Sequence, residues 1–316
     1  LEIVVLKDRV TFEQFVEDVQ GQPMPGARAF YSPLNEHVMT YDDTENQDPE
    51  TAWFNESVLI HETFHLLSDH YAAGPMFSME EIQERPRYTS VLVQEGLTDS
   101  VSGFTRTGGE GRDATYEFLT QNHLRLKDWQ EFYKQIGNKM LFRIRDMLEC
   151  RHYGQCRLKA LVRWQELKLP IRSQGHANAI AQFGLGLYYA SACQASYFFV
   201  HYREGGKYPY RDLWWQYLAK DYKGEIQLKS YDDNRAVDEF KKMFGIKSDK
   251  DWDALDKKFE DFTVALKPEN VGRSGGPTGG PDDAGTILPG APVPLPEPSR
   301  DGGPHSTREF ALAGRD

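Results

Sequence analysis

The stretch Val58-Leu-Ile-His61-Glu62-Thr-Phe-His65-Leu-Leu67 lies inside a run, residues 51–73, that neither proline nor glycine interrupts. Its apolar positions spread around a helical wheel instead of alternating, so the run reads as a helix seated in a core. On such a helix His61 and His65, four apart, share one face about a turn from each other, and both imidazoles reach a single ion. Glu62, one position along, is turned out of the ligand set and toward a water beside it. The pattern H-E-x-x-H thus suits metal-assisted hydrolysis. Its plain counterpart is a pair of core histidines bonded to backbone groups.

A catalytic zinc takes three protein ligands and keeps one position open. His70 lies five residues beyond His65, about 140° round the helix, and points elsewhere. Ser68 and Tyr71 stand where a metzincin would need glycine and histidine. Downstream, Val91-Leu-Val-Gln-Glu95-Gly-Leu-Thr-Asp99 places two carboxylates four apart in an otherwise apolar helix. Unpaired carboxylates there are costly, which weakens their reading as a solvated face. Glu95 on a second packed helix completes a His₂Glu set. Asp99, a turn later, accepts the free N–H of a ligating imidazole and fixes its tautomer.

Around this centre the chain reads as α+β, a small N-terminal, mostly antiparallel sheet followed by a predominantly helical mass. Residues 3–6 form a β-branched run, and Phe12, Phe15, Val16 and Val19 repeat at helical spacing. Residues 27–31 and 37–41 alternate like a hairpin around Ser32-Pro-Leu-Asn35. Residues 1–50 make the sheet lobe and 51–270 the helical catalytic domain. Within the latter, helices are expected over roughly 52–72, 89–104, 113–121, 127–149, 156–167, 185–203, 210–221, 235–244 and 250–265. From 271 to 316 the composition changes: ten of the chain's 27 glycines and eight of its 17 prolines fall there, which reads as a disordered tail or linker.

Composition narrows the function. Lys+Arg 37 against Asp+Glu 48 leaves a net charge of −11, which argues against a broad nucleic-acid face. The most apolar stretch, residues 185–200, contains Ser191, Gln194 and Ser196 and reads as a buried helix, so no transmembrane segment is expected. Three cysteines exclude a disulfide-built scaffold; Cys150 and Cys156 are close enough in sequence to pair, with the bridge left open. Gly108-Gly-Glu-Gly-Arg112 lacks the lysine and hydroxyl of a phosphate-binding loop and reads as a flexible connection. The opening Leu1 and the Pro/Gly tail suit a secreted or cell-envelope protein better than a cytosolic one.

His61-Glu62-x-x-His65 joined to Glu95-Gly-Leu-Thr-Asp99 resembles the gluzincin metallopeptidases. More narrowly the chain is similar to a poorly characterised bacterial gluzincin-like family with a short sheet before the motif and a Tyr-Tyr-Ala-rich helix after it, here Tyr188-Tyr-Ala-Ser-Ala-Cys193. The resemblance covers residues 1–265, with specificity concentrated in the two metal motifs. It implies a zincin-like domain with Zn2+ on His61, His65 and Glu95, Glu62 as general base, Asp99 behind a ligand, and a peptide or protein substrate. Within that resemblance the oxyanion donor comes from a later helix, first Tyr189, then Tyr188, with His176 and His201 behind; packing is the other role open to Tyr189. The family fold also offers residues 37–41 as the edge strand that pairs with extended substrate. Two alternatives remain in view: a non-catalytic zinc-containing binding or assembly module, and a zinc hydrolase acting on a non-peptide amide or ester.

Overall fold

The structure, a computed structural model, describes residues 2–20, 27–32, 36–42, 49–73, 90–109, 113–226 and 234–267, all within the compact unit Leu1–Gly272. The Pro/Gly-rich stretch 271–316 lies outside the described residues.

The chain starts with β1 (Glu2–Leu6), α1 (Arg9–Gln20), β2 (Ala29–Ser32) and β3 (His37–Tyr41). The expected β2–β3 hairpin is antiparallel, Ala29 facing Thr40 and Ser32 facing His37. Helix α1 carries the chain back far enough for β1 to lie parallel to β3, giving the order β1-β3-β2. Period-2 alternation sorts β1: Val4 and Leu6 join the small core under α1, while Ile3 and Val5 stand 47% and 61% exposed. That core is centred on Phe12, Val16 and Met39, all essentially buried, each stabilising the lobe by roughly 1.5–3 kcal/mol. The topology corrects one expectation. Strand β3, residues 37–41, is central and paired on both sides; β2 is the edge strand on its side of the sheet.

Helix α2 (Pro49–Ala73) follows, and residues 90–101 then wind as a π-turn, Leu92–Gly96, running into the short α3 (Leu97–Val101). An antiparallel hairpin comes next, β4 (Phe104–Gly108) and β5 (Thr115–Phe118). The helices α4 (His123–Ile136), α5 (Ile144–Glu149), α6 (Tyr153–Glu166), α7 (Gln174–His201), α8 (Arg211–Tyr222), α9 (Arg235–Phe244) and α10 (Asp249–Ala265) complete the described chain, with a 3₁₀ turn at Gly137–Lys139. The α+β class is therefore seen directly.

Several helical expectations are corrected. Residues 113–121 hold β5, and the helix placed at 89–104 gives way to strand from Phe104. Thr105, Thr107, Thr115, Tyr116 and Phe118 are strand formers flanking the glycine-rich 108–112 connection, a signal that pointed to a hairpin. The helix placed at 127–149 breaks at Gly137, where φ +63 and ψ −154 lie in a region open essentially to glycine alone. Helix α7 starts eleven residues before the expected 185, at Gln174, where the Ser173 hydroxyl accepts the His176 N–H at 3.1 Å. A Cβ on Gly184 would stand 2.0 Å from Ala160 Cβ, so glycine is what lets α6 and α7 touch. Cys150, Cys156 and Cys193 are buried free thiols, and Cys156 Sγ donates to His152 O at 3.7 Å. Among the described residues no helix is long and apolar enough to cross a membrane.

Candidate metal centre

One face of α2, residues 53, 57, 61 and 65 at i, i+4 spacing, runs antiparallel along residues 95–104. Trp53 Nε1 donates to Phe104 O at 3.2 Å, and the Ser57 hydroxyl donates to Ser102 O at 3.0 Å. One turn on, His61 meets both Asp99 and Glu95; one further turn on, His65 meets Glu95. The Glu95 segment is held by α7: a Cβ at Gly96 would stand 2.6 Å from Ala192 O, inside van der Waals contact. Glycine at 96 is thus a packing requirement that brings the preceding carboxylate within reach. The π-turn also carries that carboxylate, and such turns recur at functional sites.

His61, His65 and Glu95 each offer a ligand atom to one point, as expected from the sequence. His61 Nε2 and His65 Nε2 lie 3.1 Å apart, His61 Nε2 and Glu95 Oε2 3.2 Å, and His65 Nε2 and Glu95 Oε2 3.4 Å. A tetrahedral site with bonds of about 2.0–2.1 Å has ligand–ligand edges of about 3.3–3.4 Å. The three side chains could therefore hold one metal ion without rearranging. Glu62, Glu95 and Asp99 bring three formal negative charges against the one positive charge of Arg125, a balance that suits a dication.

His61 Nδ1 stands 3.0 Å from Asp99 Oδ1, which assigns the Nδ1–H to Asp99 and leaves Nε2 facing His65 and Glu95. Asp99 itself is paired with Arg125, Nε to Oδ2 at 2.9 Å. Burial works against every charge here, yet the partners win. The Asp99 and Glu95 carboxylates raise the His61 pKa well above the usual imidazole value despite burial. Burial alone would raise the Glu95 carboxyl, but His65 and His61 outweigh it and hold it well below the carboxylate range. Arg125 does the same for Asp99. Glu62 is the exception: burial dominates and pushes its carboxyl up, against the pull of both histidines.

Glu62 leaves the triad and turns to the sheet, Oε2 accepting the Tyr31 N–H of edge strand β2 at 2.9 Å. Arg28, the residue before β2, donates to Asn55 of α2 at 2.7 Å. So β2 is the strand beside Glu62, in place of β3.

The tyrosines separate. Tyr188 is fully buried and donates to Met147 O at 3.0 Å, a core residue remote in role from the triad. His176 sits at the start of α7, its Nδ1 accepting the Arg172 N–H, and His201 bonds Leu119 O at 2.9 Å. His70 Nδ1 lies 3.8 Å from Glu36 Oε1, and its ring is not part of the triad. Tyr189 lies beside the site, its ring 6.3 Å from that of Tyr153 and beneath the Arg125 guanidinium. The hydroxyl that touches a ligand belongs to Tyr153, which donates to Glu95 Oε1.

Sequence reasoning missed Tyr153, Arg125 and the Tyr31 amide. Asn122 before an amphipathic run did signal a helix start that brings Arg125 into the first turn; Tyr153 carried no local signal. The chain matches no known protein family, no curated protein and no solved structure, so the site is read from its own geometry.

Proposed function

We propose that the chain is a zinc metallopeptidase of gluzincin type, cleaving peptide bonds in a peptide or protein substrate. The observation that carries this is the near-equilateral triangle of His61, His65 and Glu95 donor atoms with the Glu62 carboxyl on the next helical position. When bound, zinc supplies Lewis acidity, lowering the pKa of water toward about 7 and polarising a carbonyl oxygen.

The chain's own residues do the rest. Asp99 keeps the proton on His61 Nδ1, so Nε2 presents its lone pair to the metal. Glu62 Oε2 is held by Tyr31, which leaves Oε1 to take a proton from water and pass it to the leaving amine. Burial raises the Glu62 carboxyl toward working pH, which favours a group that must both accept and release a proton. Tyr189, at the side of the triad, is the donor to the developing oxyanion, with Tyr153 holding Glu95 in place. His61 keeps 14% of its side chain exposed and Tyr153 is 37% exposed, an exposure in keeping with a centre that substrate must reach.

Glu62→Gln tests the reading. Zinc-loaded wild type is expected to cleave a mixed peptide library, and the variant to keep one zinc per chain while turnover falls about 10²–10⁴-fold. Equal turnover in the two proteins would refute the role of Glu62, and a wild type that takes up no zinc would refute the centre itself.

A further inference from the structure

The first turn of α4 contributes no metal donor, yet it grips the turn that does. Asn122 caps α4, its Oδ1 accepting the Arg125 N–H at 3.2 Å. The same side chain reaches across: Nδ2 donates to Asp99 O at 3.2 Å and to Ser102 Oγ at 3.5 Å. Three residues on, Arg125 closes the grip. Its Nε is 2.9 Å from Asp99 Oδ2, and Nη2 donates to Asp99 Oδ1 at 3.4 Å. The guanidinium lies over Tyr189 with Cζ 5.2 Å from the ring centre, so its plane is set by contacts on two sides. Asp99 is 4% exposed as a side chain, and its Oδ1 is shared between Arg125 and His61 Nδ1.

We infer that Arg125 is a positioning residue for the metal centre: acting through Asp99, and with Asn122 fixing its helix, it sets the orientation of His61 and so the affinity for the metal. Without Arg125, Asp99 is a buried carboxylate whose remaining side-chain partner is the imidazole, and a carboxylate that loses the fork fixing its plane is free to rotate. That rotation takes the acceptor from His61 Nδ1 and frees the ring to turn. Lysine supplies the charge without the fork that engages both carboxylate oxygens, so it replaces arginine only in part. The inference rests on the metal-centre reading above and does not depend on the reaction catalysed there.

The test is zinc affinity of the full chain by competition with a chromophoric chelator at fixed pH. Arg125→Gln is expected to weaken zinc binding about 10–100-fold, with Arg125→Lys in between. Because the effect passes through Asp99, Arg125→Gln added to Asp99→Asn should weaken binding no further than Asp99→Asn alone. Should Arg125→Gln fail to fold, Asn122→Ser keeps the helix cap while losing the reach to Asp99 O, and about a fivefold loss is expected. Urea unfolding in chelator checks that each variant is folded before its affinity is compared. Wild-type affinity in Arg125→Gln and Arg125→Lys, or losses that multiply in the double variant, would overturn the inference. Zinc binding by wild type without peptide cleavage would overturn the proposed activity, and the affinity ratios would still decide the role of Arg125.

Discussion

Gly96→Ala adds a single methyl group at the point where the Glu95 turn crosses α7. The new Cβ would lie 2.6 Å from Ala192 O, 2.9 Å from Ala192 C and 3.0 Å from Ala192 Cβ, where ordinary contact begins at 3.4 Å. Two of those atoms are backbone, so relief requires the segments to separate by about 0.8 Å at the carbonyl. Overpacking of this kind costs roughly 1–3 kcal/mol, while replacing glycine by alanine in a helix returns about 1 kcal/mol. Net stability of the metal-free chain should therefore fall by about 0–2 kcal/mol, a modest change. The metal centre is less forgiving. Ligand positions tolerate about 0.2 Å, and Glu95 is the neighbouring residue, so a shift several times that size separates its carboxylate from His61 and His65. Urea unfolding of the metal-free chain and zinc competition on the folded chain measure the two effects separately. Affinity should drop at least tenfold while the fold survives. A variant that keeps wild-type zinc affinity would refute the claim that α7 packing sets the position of Glu95.

Other consequences can be measured on the same protein. Zinc at a hundred times its dissociation constant should stabilise the fold by about 2.7 kcal/mol, roughly 5–11 °C in Tm, and EDTA should remove the gain; an unchanged melt would count against the site. Tyr153→Phe leaves Glu95 Oε1 without its donor on a ring that is already 37% exposed, so zinc affinity should fall several-fold with little loss of stability. Two groups that are not part of the triad give opposite pH responses over one window. Burial pushes His201 down to about 4, so the unfolded chain takes up that proton first and stability falls as pH drops from 6.5 to 4. Burial pushes Asp256 up to about 6, so the folded chain keeps that proton longer and stability falls as pH rises from 3.8 to 6. Wild-type stability can look flat there; the differences from His201→Gln and Asp256→Asn, about 1–3 kcal/mol each, carry the signs, and pH profiles parallel to wild type would refute both.

The legible part of this protein is the part that lies within single elements. Residues 61 and 65 share a helix face because helical geometry puts i and i+4 there, and the same holds for 95 and 99. Their donor atoms meet because both pairs sit in apolar runs that must pack, and the sequence of each run states that demand. The N-terminal hairpin and the helix between strands were readable for the same reason, since alternation and 3.6-residue spacing are local properties. Where two local signals compete, the reading failed: β4 and β5 are five- and four-residue strands whose threonines and aromatics were overridden by the helical stretches on either side.

What only the tertiary structure decided are contacts between elements distant in sequence. Tyr153 reaches Glu95 across 58 positions and Arg125 reaches Asp99 across 26. No periodicity records such pairs. They follow from which faces α4, α6 and α7 bury together, and close approach at Gly96 and Gly184 fixes how near those helices come. The strand beside Glu62 is decided in the same way: β3 lies central because α1 returns the chain to pair β1 on its far side, which leaves β2 to offer its Tyr31 amide to the carboxylate. A sequence encodes the donors through the spacing of its own turns; the partners that orient them are set by the sum of many weak packing choices, and that sum exists only in the folded chain.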